Sequence, residues 1–119
     1  MSASKEEENF LRWLGGYFDH GGCCKFYHRV QKIRGRSYPN LDVHIVLSGK
    51  KESMEYVKAH YHRWNAKLIP QGGKKGTWRF VIRSRTEVLF FCQELLSYSK
   101  FRGTELKDMI EAIKRETRL

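Results

Sequence analysis

The chain has 119 residues, enough for one domain of ordinary size and little more. An apolar share of 40% with 13% aromatics permits a real core and argues against wholesale disorder. Lys and Arg total 23 against 13 Asp and Glu, a formal +10 that favours a polyanionic partner, while no run reaches the length of a membrane span.

Ser4 and Glu7 have the spacing of a capping box, and the acidic run Glu6-Glu7-Glu8 suits a helix N-terminus rather than a signal peptide. Phe10, Leu11, Leu14, Tyr17 and Phe18 follow as a helical stripe, with Trp13 beside them. Gly15 and Gly16 interrupt that stripe. Each costs roughly 1 kcal/mol of helix propensity relative to alanine, and close approach of another backbone is the simplest offset. The pair therefore reads as the contact point of a partner helix; the plainer reading ends a short helix there and puts Tyr17 and Phe18 in a loop.

Residues 24–34 alternate, with Cys24, Phe26, His28 and Val30 on one face and Lys25, Tyr27, Arg29 and Gln31 on the other. Residues 35–40 read as a turn. Leu41, Val43, Ile45 and Leu47 alternate with Asp42, His44, Val46 and Ser48, completing a hairpin. His28, on the apolar side, reads as a core histidine. Residues 51–61 form a short helix around Met54 and Val57, residues 64–69 a strand, and residues 71–76 a turn carrying Lys74 and Lys75. Trp78, Phe80 and Ile82 alternate with Thr77, Arg79 and Val81 in a cleaner strand. Ser84 and Glu87 open a helix with Val88, Leu89, Phe91, Cys92, Leu95 and Leu96, and Thr104 caps a last one with Leu106, Met109, Ile110 and Ile113.

The order is helix, strand, strand, helix, strand, strand, helix, helix. This predicts an α+β fold, an antiparallel sheet with its helices on one face, in a single domain over residues 1–119. The other sheet face carries Lys25, Tyr27, Arg29, Gln31, His44, Ser48 and Arg79, with Arg34, Arg36, Lys50, Lys51, Lys74 and Lys75 in the adjoining turns. A basic, curved face suits a nucleic-acid duplex; the plainer reading is the solvated face of a basic protein. Three cysteines, two of them adjacent, make a poor disulfide framework and lack the spaced partners of a zinc module, so a reducing, intracellular setting is expected.

In this order of elements, from Phe10 to Ile113, the chain resembles the LAGLIDADG homing endonucleases. The resemblance is carried by Leu14-Gly15-Gly16-Tyr17-Phe18-Asp19-His20-Gly21-Gly22. Leu14 matches the first leucine, Gly15 stands for the small alanine, Gly16 matches the glycine of the helix contact, Asp19 the first aspartate and Gly22 the last glycine. What the resemblance implies is an αββαββα core with a saddle-like sheet over the DNA major groove and an extra C-terminal helix. A single motif further implies a homodimer, with Leu11, Leu14, Gly15, Gly16 and Phe18 at the interface and a roughly palindromic target. Arg29 and Gln31 become the base readers, since arginine pairs with guanine and glutamine with adenine; Lys74 and Lys75 become phosphate contacts. Lys100, in Tyr98-Ser99-Lys100-Phe101-Arg102, matches a basic residue near the family's active site.

One departure bears on chemistry. The second acid of the motif, which binds the divalent metal in the family, is Gly21 here. Phosphodiester hydrolysis through a metal needs anionic oxygen ligands at the phosphate; Asp19 is the remaining acid, and His20 is too soft a ligand for magnesium. The expectation is a sequence-specific, double-stranded-DNA-binding homodimer with little or no cleavage and no cofactor. Its rivals are a working endonuclease that uses Mg2+ with Asp19 and Lys100 as catalytic residues, an RNA-binding intron-splicing helper of the maturase kind, and an interaction module whose charge only aids solubility.

Overall fold

Alternation decides the sheet, and the sheet decides the rest. The computed structural model of the chain describes residues 5–71 and 76–116; the side chains of Tyr27, His28, Arg29, Gln31, Tyr38 and Pro39 are outside that description, as are Ser4, Lys74 and Lys75. Helix α1 spans Lys5–Gly21, strand β1 Gly22–Ile33, β2 Arg36–Lys50, helix α2 Lys51–His60, β3 Lys67–Pro70, β4 Thr77–Ile82, α3 Arg85–Leu95 and α4 Gly103–Glu116. The strands form one antiparallel sheet in the order β1-β2-β4-β3. This is the expected α+β architecture.

Leu41, Val43, Ile45 and Leu47 of β2 and Phe80 and Ile82 of β4 are buried, and Cys24, Phe26 and Leu68 pack beside them. Onto this face come Phe10, Leu11, Leu14 and Phe18 of α1, Met54 and Val57 of α2, Val88, Phe91, Cys92 and Leu95 of α3, and Leu106, Met109, Ile110 and Ile113 of α4. Each fully buried Leu, Ile or Phe contributes roughly 1.5–3 kcal/mol. Ser84 caps α3 as its spacing with Glu87 predicts, accepting the Glu87 N–H. Arg85 ties the start of α3 to β2 by donating to the Leu41 carbonyl and to Asn40 Oδ1 (2.5 Å).

The structure corrects the bounds of two elements. The turn read over residues 35–40 is only Arg34-Gly35, both at positive φ (52° and 78°), the geometry of a tight two-residue hairpin loop. Residues 36–40 pair with β1 instead, because the hairpin's own hydrogen bonds override their turn-like composition. Pro39 is accommodated where β2 has a strand on one side only, since β4 reaches no further than Ile45. The strand read from Trp64 begins at Lys67: Trp64 instead stacks on Tyr61, ring centroids 4.1 Å apart, and Lys58 holds that turn by donating to Ala66 O (2.7 Å).

Helix α1 runs through both internal glycines, which removes the short-helix reading. Their roles differ. A Cβ on Gly15 would sit 2.4 Å from the carbonyl oxygen of Tyr98 and 2.7 Å from its carbon, so the close backbone approach at this position comes from within the chain. Nothing lies within 4 Å of a Cβ on Gly16. Leu11, Leu14 and Phe18, expected at an interface, are likewise in the chain's own core.

Gly15→Ala is expected to destabilise the fold by about 2 kcal/mol: an overpacking cost near 3 kcal/mol less the roughly 1 kcal/mol gained in helix propensity. Urea unfolding checks this through a lowered midpoint at unchanged slope; an unchanged midpoint would contradict the Tyr98 contact.

Candidate nucleic-acid interface

The residues opposite in phase to the core form the open face of the sheet. Strand register sets them in rows. Lys25 pairs with His44; Cys23 with Val46, Val46 with Val81 and Val81 with Lys67; Ser48 with Arg79 and Arg79 with Ile69. Lys25, Arg79, Arg83 and Lys67 are exposed, and His44 and Ser48 half-buried. The face is therefore basic at its rim. Burial, then the neighbouring Arg83 and Lys25 charges, hold His44 below the usual imidazole range against an opposing pull from Asp42, so these four groups form one cluster.

Lys25, His44, Ser48 and Arg79 thus occupy a common surface, and Arg34 and Arg36 are exposed at the hairpin tip. Tyr27, Arg29 and Gln31 continue the alternation of Lys25 along the β1 backbone, with their side chains outside the described residues, as are Lys74 and Lys75. Sequence reasoning missed Arg83 and Lys67, which lie just past the end of one strand and at the start of another. It also missed that the centre of the face is apolar: Val46, Val81 and Ile69 share a recess of about 330 Å³ with His44, Arg79 and Arg83. The in-phase positions 79, 81 and 83 were the available signal.

A second cluster lies where α1 meets the segment before α4. Asp19 accepts from Ser99 Oγ (2.5 Å), from the Lys100 backbone N–H (2.9 Å) and from that of Phe101 (3.4 Å). Ser99 Oγ in turn accepts from the Arg102 N–H (3.1 Å). Arg102, also missed in the sequence, donates through Nη1 to the Gly22 carbonyl and lies over the Phe18 ring. Its neighbour Lys100 was the only basic residue singled out there. The Lys100 side chain is exposed.

Both Asp19 oxygens are committed to this loop. The carboxylate works as a clamp on residues 99–101. Gly21 supplies no side-chain oxygen, although a Cβ there would make only ordinary contacts, 3.6 Å to Tyr17 and 3.7 Å to the Ser48 carbonyl. No group of three His, Cys, Asp or Glu able to hold a metal occurs among the described residues. This donor set does not fit a divalent cation.

No family model matches the chain, and no curated protein matches it. Solved structures do. The chain superposes on the homing endonuclease I-CvuI, crystallised with the I-CreI target, with a TM-score of 0.73 at 14% identity over 93% of this chain and 69% of that one. For the archaeal intron-encoded homing endonuclease I-Vdi141I, complexed with DNA, the TM-score is 0.74 at 15% identity, over 94% and 71%. For the homing endonuclease I-TnaI it is 0.66 at 15%, over 99% and 76%. The chain has the homing-endonuclease fold. No described helix is long and apolar enough to cross a membrane.

Burial pushes the Asp19 carboxyl upward, but the hydrogen bonds from Ser99, Lys100 and Phe101, with His20 nearby, together leave it below its ordinary value. A depressed carboxylate contributes stability that is present above the unfolded-state pKa and lost as pH falls through the folded one. Asp19→Asn is expected to cost about 1–2 kcal/mol near pH 6. The gap from the unsubstituted protein should close below about pH 4. Unfolding curves at both ends of that window check it, and a gap that does not depend on pH would contradict the clamp.

Proposed function

We propose that the chain binds double-stranded DNA sequence-specifically as a homodimer, with little or no cleavage activity. The observation that carries this reading is the open sheet face: helices cover one side only, and the bare side presents Lys25, His44, Ser48, Arg79 and Arg83 at strand spacing. Antiparallel strands alternate side chains at a spacing that follows a major groove, where a two-stranded ribbon fits and base edges are readable. The fold is shared with proteins crystallised on DNA, including I-CvuI and I-Vdi141I. The exposed Arg34 and Arg36 at the hairpin tip, with Lys74 and Lys75, supply phosphate contacts, and Arg29 and Gln31 supply base contacts. These groups bind the duplex, register it and release its counterions.

The proposed silence toward phosphodiester bonds follows from chemistry at one position. Hydrolysis through a divalent ion requires carboxylate oxygens at the scissile phosphate. Gly21 has none, and Asp19 is engaged by three donors. Lys100 would then contact phosphate without a nucleophile to assist.

The homodimer reading is supported by the outer face of α1. Gly16 is exposed with clear space above it, flanked by half-buried Trp13 and Tyr17 in a shallow concavity shared with Arg12 and His20. Tyr17 is fixed there by donating to the Ser48 carbonyl (2.6 Å). A second α1 can approach a glycine closely, which is how small residues serve helix contacts.

Selection of bound duplexes from a random pool should recover a palindromic consensus that stays intact when incubated with magnesium or manganese. Cleavage of that consensus would overturn the silent reading, and failure to enrich any duplex would overturn the binding reading. Gly16→Leu should yield a folded monomer, since nothing in the chain lies within 4 Å of a Cβ at that position. A mass measurement that finds the variant still dimeric would remove α1 from the interface.

A further inference from the structure

The open sheet face is not uniformly polar, and its apolar part is localised. Val46 and Val81 are direct register partners on the two central strands, and Ile69, 40% exposed, flanks them from β3. All three line the 330 Å³ recess, together with Pro70, Gln71, His44, Arg79 and Arg83. Single surface hydrophobics need no explanation. Here three share one concavity with two arginines, on the face assigned to DNA. Phosphate binding has no use for such a lining, because valine and isoleucine donate nothing to an oxyanion.

The major groove displays one apolar group, the 5-methyl of thymine. We infer that this recess is a thymine-reading pocket: Val46, Val81 and Ile69 receive the methyl group, while Arg79 and Arg83 hold the adjoining phosphates or a neighbouring guanine. The inference rests on the proposed binding of duplex DNA and adds the base that this part of the sheet selects. Charge complementarity fixes the class of occupant, since Arg79 and Arg83 in the lining favour a polyanion over an apolar protein segment. Discrimination comes from burying one methyl rather than from a hydrogen bond, so it is modest at each site. 5-Methylcytosine carries the same methyl on a different pairing edge, so the test separates the two sources.

The experiment uses the duplex recovered by selection. Each thymine is replaced in turn by deoxyuridine, which removes the methyl and nothing else. One position per half-site is expected at which the replacement weakens binding roughly three- to fivefold, the value of one buried methyl. Val46→Ser and Ile69→Ser, at half-buried and exposed positions, should keep the fold and bind thymine and uracil duplexes alike. Placing a 5-methylcytosine–guanine pair at the sensitive position should bind no better than thymine–adenine. Equal affinity for thymine and uracil at every position would overturn the inference while leaving duplex binding intact. So would full uracil sensitivity in both serine variants, or tighter binding of 5-methylcytosine than of thymine. Absence of any enriched duplex would overturn the inference and the binding reading together.

Discussion

The passage of the Tyr98 backbone over Gly15 is the contact on which the arrangement depends. With any side chain at that position, the carbonyl of Tyr98 could not approach. Once it does, Ser99, Lys100 and Phe101 come within reach of the Asp19 carboxylate one turn further along α1. Arg102 then reaches the Gly22 carbonyl at the junction of α1 and β1. Steric fit and charge-assisted hydrogen bonds thus seat the link between α3 and α4 against the centre of the fold. With one side of α1 used in this way, only the side bearing Gly16, Arg12 and His20 remains for another molecule.

The sheet extends the same logic. Burying one phase of each strand under four helices obliges the other phase to remain open. On that open phase the chain places Lys25, Arg79 and Arg83 around His44, an arrangement that is mildly unfavourable for the free protein. Burial first, and then the charges of Arg83 and Lys25, hold His44 below the usual imidazole range. Interactions among exposed charges are weak, about 1 kcal/mol or less each, so the core tolerates them. A polyanion reverses their sign and gains from each released counterion, so a small internal penalty becomes a larger gain on binding. The junction of α1 and β1 differs in kind, since there the Asp19 carboxylate is taken up by residues 99–101 and Gly21 carries no side chain.

Much of this was legible in the linear chain because it rests on period. The helical stripe of α1, the phases of β1, β2 and β4, and the cap formed by Ser84 and Glu87 are local patterns, and local physics sets them. Lys25, His44, Ser48 and Arg79 follow from alternation alone. The absence of an acid at Gly21 can be read directly, and the structure adds that space for a side chain exists there. Arg83 continues the phase of Arg79 and Val81 one step past the strand end; what alternation could not give was the extension of the hairpin through residues 36–40, where cross-strand pairing outweighs composition.

The sequence by itself determined the class of fold and the basic face, since each depends on residue identity and on spacing along one chain. Only the tertiary structure decided that the Tyr98 backbone passes over Gly15 while Gly16 stays open, and that Asp19 holds residues 99–101. It also gathered Val46, Val81 and Ile69 into one recess. These depend on which distant segments meet. Tyr98 lies far from Gly15 in the chain and Ile69 far from Val46, and no local propensity encodes contacts that exist only once the sheet and helices have packed.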